Sequence, residues 1–342
     1  SAAGTIVLAF WLIAGAPSLP ISDFKRLSYL LDLPDVEVLR QEADIRNQVT
    51  ELRSDSIRIA PGLSLNWFQA VPSQDVIVLG SDRVIPIPRK ATEETLAHFS
   101  AMLGDAPYAA AEPARVLVIG TSEWLGHFQA RIHQPEYLAW IEPNPEITTA
   151  FADRGFTEAV SEVSTNSPRQ WLSAGTDSPY DLIVFDSAAV QGDAATEEYI
   201  LTVDVFRDAL RRLNPGGHFA VPLRLSNPPR YSPKLLRMAV QALEEEGIEQ
   251  PEQYIAMLRS LQEGMLLVGK QPLSTGSQTR LREFAGELGF DMVALPGLER
   301  EEANQFHRLS RPAYFLAAQK IFLGEAPADS LYTEDPATDA QP

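Results

Sequence analysis

The sequence predicts an α/β fold: a mostly parallel sheet flanked by helices, with an antiparallel hairpin at its edge and a small antiparallel β domain in front of it. Three observations predict this. ARVLVIG (114–120) and YLAWIEP (137–143) are short apolar runs with β-branched residues, as in strands buried on both faces of a parallel sheet. A turn and a helical stretch of about three turns separate them, and the second run ends in an acid, Glu142, about 20 residues after Gly120, which is the layout of a βαβ nucleoside-binding unit. Before residue 90 the pattern instead changes to short β-rich runs broken by Ser-Asp, Pro-Gly and Pro-Ser pairs, which signal hairpins.

Taken in order, the chain divides into residues 1–21, 22–90, 91–324 and 325–342. Residues 4–20, GTIVLAFWLIAGAPSLP, contain no charged side chain. The stretch before Pro17 is shorter than the roughly 20 residues a bilayer span needs, and no basic segment precedes it as in a signal peptide. It reads as the end of a transmembrane helix or as an interfacial or buried helix, and Lys25 and Arg26 after it lean toward a cytoplasmic placement of the chain beyond them. Ser22 to Leu33 predicts a short amphipathic helix with Ser22 as N-cap, Phe24, Leu27, Leu30 and Leu31 on one face, and Pro34 as its stop. Strand-like runs come next at 36–41, 48–53, 56–60, 63–68, 75–80 and 83–87, and Thr92 opens a helix through about Leu103 with a weak capping box to Thr95.

Beyond Ala114 strands and helices alternate. A helix at 143–155 leads to a third strand at 158–163, and 167–175 is a short helix with Pro168 at its first position. DLIVFD (181–186) is a fourth buried strand ending in Asp186; a helix from Thr202 to Leu213 closes at Asn214-Pro215-Gly216-Gly217, and HFAVPLRL (218–225) is the fifth strand. Ser232 to Gly247 is helical, residues 254–272 form the antiparallel hairpin, and a helix at 276–288 precedes the apolar run DMVAL. The segment from 296 to 324 is mixed, and the tail is acidic, proline-rich and expected to be loosely held.

Composition narrows function. Forty-six acidic against 28 basic residues give a formal charge of −18, which argues against nucleic acid or anionic lipid as a partner held by bulk charge. With no cysteine there is no disulfide, thiolate zinc site or cysteine nucleophile. The five histidines are scattered, and His127 and His133 sit six apart, off the same-face spacing of a helix, so no metal site is expected. Ser122 and Asp186 with a histidine also suggest a nucleophile-elbow triad, but the second elbow glycine is Trp124 and His218 opens its strand instead of coming after one.

RVLVIG with IEPNPEI, YDLIVFDS, and TEEYILTVDVFRDALRRLNPGGHFAV resemble, in that order, the first motif, the aspartate-bearing strand and the TEEFY…LKPGG…V segment of the spermidine synthase family. The hairpin at 254–270, with LPGL (295–298) and LYTEDPATDAQP (331–342), is similar to its membrane-attached branch. The resemblance spans residues 22–342 and implies an S-adenosylmethionine methyltransferase-type (Rossmann-like) fold, and S-adenosylmethionine or its decarboxylated form as cofactor. It further implies that Gly120 turns beside the methionine part, Glu142 holds the ribose, Ser167 stands at the adenine, Tyr199 edges the pocket, and Glu123 contacts an ammonium. Asp186 would be the catalytic acid, with Asp193 as a stand-in partner, because Ala188-Ala189 replace the expected second acid that binds and deprotonates the polyamine amine. Thr121-Ser122-Glu123-Trp124 replaces the glycine-rich turn, and Ser167-Pro168-Arg169 replaces the adenine acid. These losses together predict a non-catalytic binding or scaffolding module, with or without a cofactor, attached to a membrane through its N-terminal segment and to other protein subunits; a divergent aminopropyl or methyl transferase is the alternative.

Overall fold

The computed structural model describes residues 22–43, 48–174, 179–186, 201–325 and Thr338. Two sheets organise them. The smaller is an antiparallel meander of β1 (Glu37–Ala43), β2 (Gln48–Arg53), β3 (Gln74–Leu79) and β4 (Arg83–Pro88), adjacent in that order. Its period-two pattern serves two cores. Leu52, Val76, Val78 and Val84 pack with Leu27 and Leu30 of α1 (Arg26–Leu31), while Val49, Ile77, Ile85 and Ile87 join the core of the larger sheet.

Several local expectations are corrected here. The runs 56–60 and 63–68 are not strands. The Gln74 side-chain amide takes the place of a neighbouring strand, accepting from Ile59 N–H at 2.7 Å and donating to its carbonyl at 3.1 Å, and Leu63 makes a single bridge to Met102. The first helix starts at Arg26, not after Ser22, because its opening N–H is bonded by the distant Asp82 carboxylate at 3.2 Å. Only Leu27 and Leu30 of its predicted face are buried; Phe24 is 98% exposed. Thr92 and Thr95 do form a capping box, but α2 (Glu93–Leu96) gives way to 3₁₀ turns at Ala97–Ala101 and Leu103–Asp105 before α3 (Ala106–Ala110). Extended Met102, tied to Leu63, is what breaks that helix.

The larger sheet contains β5 (Arg115–Ile119), β6 (Tyr137–Ile141), β7 (Glu162–Ser164), β8 (Tyr180–Phe185), β9 (Leu213–Arg224), β10 (Ile255–Arg259), β11 (Glu263–Gly269) and β12 (Asp291–Ala294). Their spatial order is β12-β10-β11-β9-β8-β5-β6-β7, parallel from β9 to β7 and antiparallel from β9 to β12. The fold class is therefore the one expected, a Rossmann-like sheet behind a small antiparallel one. The hairpin β10–β11 is not the outermost element, because β12, from the DMVAL run, pairs outside it. The third parallel strand starts only at Glu162, since Val160 N–H closes a turn on Thr157.

Along β5 the two cores alternate: Val116 and Val118 face one, Leu117 and Ile119 the other, which is why the run is continuously apolar. Helices α4 (Gly126–Ile132), α5 (Pro145–Ala152) and α9 (Thr275–Leu288) contribute to the first core. Helices α6 (Pro168–Ser173), α7 (Val203–Arg212) and α8 (Tyr231–Glu245) contribute to the second, with α10 (Ala313–Phe322), which no sequence pattern had announced. The apolar segment 4–20, Asp193, Tyr199 and all of the tail except Glu325 and Thr338 lie outside the described residues. Among the described residues no helix is long and apolar enough to cross a membrane, and no group of three or more His, Asp or Glu could hold a metal ion.

Candidate functional site

In an open parallel sheet the ligand lies beyond the carboxyl ends of the strands. Here main-chain bonds lock four of those ends together. Asp186 N–H donates to Ile119 at 2.8 Å, Gly120 N–H to Ile141 at 2.7 Å, and Glu142 N–H to Ser164 at 2.9 Å. Gly120 takes φ +83°, a conformation open to glycine, and its carbonyl accepts from the Trp140 indole at 3.2 Å.

The turn after Gly120 is built differently from a glycine-rich one. Leu125 stands in the left-handed region (φ 52°, ψ 51°) as N-cap of α4, a strain of about 1–2 kcal/mol for a residue with a Cβ. Its burial at 1% exposure and its bond from N–H to Ser122 O at 3.2 Å hold it there. Asp186 caps this helix from the end of the neighbouring strand β8. One of its carboxylate oxygens accepts the Ser122 hydroxyl in a short bond, and the other accepts Gly126 N–H at 2.6 Å. Glycine at 126 makes room for this approach, since a Cβ there would lie 3.2 Å from the Asp186 side chain and from Val118, and these would have to shift slightly. Burial raises the Asp186 carboxyl to about 6, against the opposing pull of the Ser122 and Gly126 bonds and the Arg83 charge. Tyr108, buried and with no hydroxyl partner among the described residues, is pushed well above its ordinary value by burial and then by the charges of Asp105 and Asp186.

Glu123 is only 3% exposed and is held by two arginines, Arg26 of α1 at 2.9 Å and Arg224 at the end of β9 at 2.7 Å. A third, Arg83 at the start of β4, donates to the Thr121 carbonyl at 3.0 Å. Trp124 is core: it fills the space left by Gly62 and Gly104, where an added Cβ would lie 3.3 and 3.5 Å from its ring.

Of the residues picked out from sequence, the fold brings Gly120, Glu123, Glu142 and Asp186 to one edge of the sheet. Glu142 is fully buried, with its carboxylate accepting Asn144 N–H at 2.8 Å. Ser167 lies exposed before α6, makes no side-chain cap bond, and accepts Trp171 N–H at 3.0 Å through its carbonyl. Asp193 and Tyr199 are outside the described residues. The serine triad is not assembled among them: Ser122 bonds Asp186 and Trp124 N–H, while His218 faces the Pro107 carbonyl at 3.0 Å. Sequence reading missed Arg26, Arg83, Arg224 and Gly126. The arginines come from three separate elements and leave no common signal; the glycine two residues beyond the bulky Trp124 was a visible one.

No protein-family model matches the sequence, and no curated protein matches it. Solved structures do. A probable spermidine synthase from Corynebacterium glutamicum is 12% identical, with a TM-score of 0.53 over 87% of this chain and 98% of that one. A spermidine synthase in complex with the transition-state analogue AdoDATO is 13% identical, with a TM-score of 0.49 over 84% and 88%. The Thermotoga maritima spermidine synthase is 13% identical, with a TM-score of 0.48 over 84% and 87%. At this identity the likeness establishes the fold: a spermidine synthase-like arrangement of a small β domain and a methyltransferase-type sheet.

Proposed function

We propose that the chain is a nucleoside-binding module on a spermidine synthase-like frame that does not turn its ligand over. The observation that carries the reading is the use of Asp186 as a cap: both its oxygens are bonded within the fold, by the Ser122 hydroxyl and Gly126 N–H. A base that must accept a proton from an amine has to be reachable by it, and the lone pairs that remain on Asp186 belong to a residue only 1% exposed. Glu123, the other acid of the turn, is likewise engaged by Arg26 and Arg224. What supports binding is the Gly120 turn and the placement of Glu142 at the end of β6, where an acid meets ribose hydroxyls in this type of sheet. The cofactor class is S-adenosylmethionine or a close relative. Attachment to a membrane through residues 4–20 and service to other subunits belong to the same proposal.

Isothermal titration with S-adenosylmethionine, S-adenosylhomocysteine and methylthioadenosine, alongside a transfer assay with amine acceptors, tests it. Binding without transfer is expected; transfer to any amine, or no binding, overturns it. A divergent transferase is the second reading, favoured by the Asp186 carboxyl at about 6, a value suited to proton exchange near neutrality. On that reading Asp186→Asn abolishes turnover under conditions where the variant is still fully folded.

A further inference from the structure

The turn Thr121–Trp124 is overlaid by cations that come from three distant parts of the chain. Arg26 and Arg224 both reach Glu123, and Arg83 reaches the carbonyl two residues earlier. The side chains of Arg26 and Arg224 are 39% and 50% exposed, and each meets Glu123 through one nitrogen, Nη2, which leaves the carboxylate using only part of each guanidinium. The Nε of Arg83 is buried and has no partner among the described residues. Beside them Lys25 and Asp82 neutralise each other. Three arginines stand against the three acids Glu123, Glu142 and Asp186 at this edge, on a chain whose overall charge is −18. The acidity of the molecule is offset locally, at the sheet edge where a ligand would lie.

We infer that Arg26, Arg83 and Arg224 form a carboxylate subsite, so that the module takes a nucleoside carrying an intact amino-acid group, S-adenosylmethionine or S-adenosylhomocysteine, and rejects decarboxylated S-adenosylmethionine. The inference rests on the nucleoside-binding reading above. Guanidinium groups present paired N–H donors that match a carboxylate, and such charge-assisted bonds are the strong ones. Decarboxylated S-adenosylmethionine keeps an ammonium and a sulfonium but has no anion to offer, so it meets the triad as a pure cation. Glu123 offers it little compensation, because its single charge is buried and already paired with the two guanidinium groups of Arg26 and Arg224. The subsite thus reverses what an aminopropyl donor needs at this position, and it matches a donor or product that retains its carboxylate.

The test is calorimetric titration of the whole chain with S-adenosylmethionine, its decarboxylated form, S-adenosylhomocysteine and methylthioadenosine at low salt. The two carboxylated nucleosides should bind about tenfold to a hundredfold more tightly than the two that lack a carboxylate. Arg83→Gln, which leaves the Glu123 pairs in place, should bring that ratio down toward one; Arg224→Gln is the second variant should the first fail to fold. Equal affinities in the wild type, or a ratio unchanged in both variants, overturn the subsite while the nucleoside-binding reading stands. No binding of any of the four overturns both.

Discussion

At the scale of single residues, Asp186 shows how a side chain placed by its strand takes its bonding partners from elsewhere in the fold. It sits at the end of its strand as the sequence indicates, yet its carboxylate closes the first turn of α4 from a different strand. Its folded value of about 6 lies above the 3.8 of the free group, so the native state holds its proton more tightly than the unfolded chain does. Between about pH 4 and 6 this group's contribution therefore falls as pH rises, by about 3 kcal/mol in all for a two-unit shift. Chemical denaturation of wild type and Asp186→Asn at pH 4 and 7 should show the variant's deficit shrinking by that order; a constant deficit would contradict it. His127 behaves oppositely. Buried against Trp140 at a ring separation of 5.0 Å, it is lowered from 6.5 to about 3 by burial first and then by the Arg131 charge. Its contribution is complete above pH 6.5 and is lost progressively as pH falls toward 3, so His127→Phe should gain acid resistance of about 3 kcal/mol at pH 4 relative to its effect at pH 7. Gly126→Ala should cost about 1–3 kcal/mol, read as a lower midpoint in denaturant, because Asp186 must give way to the new methyl group.

At the scale of elements, the parallel strands β5, β6 and β8 were legible because each is a continuous apolar run that has to be buried on both faces, whereas β7 is exposed and starts later than its residues suggest. The helix α7 was legible through Thr202, a cap residue whose hydroxyl accepts Val205 N–H at 3.2 Å. The expected strands at 56–60 and 63–68 carried the right residues, but a strand exists only when another backbone lies beside it, and there the partner is a Gln74 side chain. The segment after DMVAL gave no clear pattern because its organiser is distant. Asp291, paired with buried Arg259 at 2.7 Å, accepts Gln305, Phe306 and His307 N–H groups at 2.5–3.0 Å and folds the loop that leads to α10. Replacing Asp291 by Ala leaves the buried Arg259 without its carboxylate and should cost about 3–5 kcal/mol in equilibrium unfolding.

At the scale of the whole molecule, the small and large sheets share one core, and Trp124 occupies it. Its indole lies against Gly62 on one side and Gly104 on the other. Trp124→Ala should cost about 3–5 kcal/mol, and calorimetry should resolve separate transitions for the two sheets if this side chain couples them. The Arg26–Glu123–Arg224 chain spans the same junction, joining α1, the turn after β5 and the end of β9.

The sequence by itself determined the fold class, the order of the parallel strands in the chain and the positions of Gly120, Glu142 and Asp186 at strand ends, because apolar period, glycine and terminal acids are local properties. Only the tertiary structure decided what those acids do. Whether a carboxylate faces a ligand or closes a helix depends on donors brought from elsewhere, and Gly126, Ser122, Arg26 and Arg224 reach Asp186 and Glu123 through folding alone.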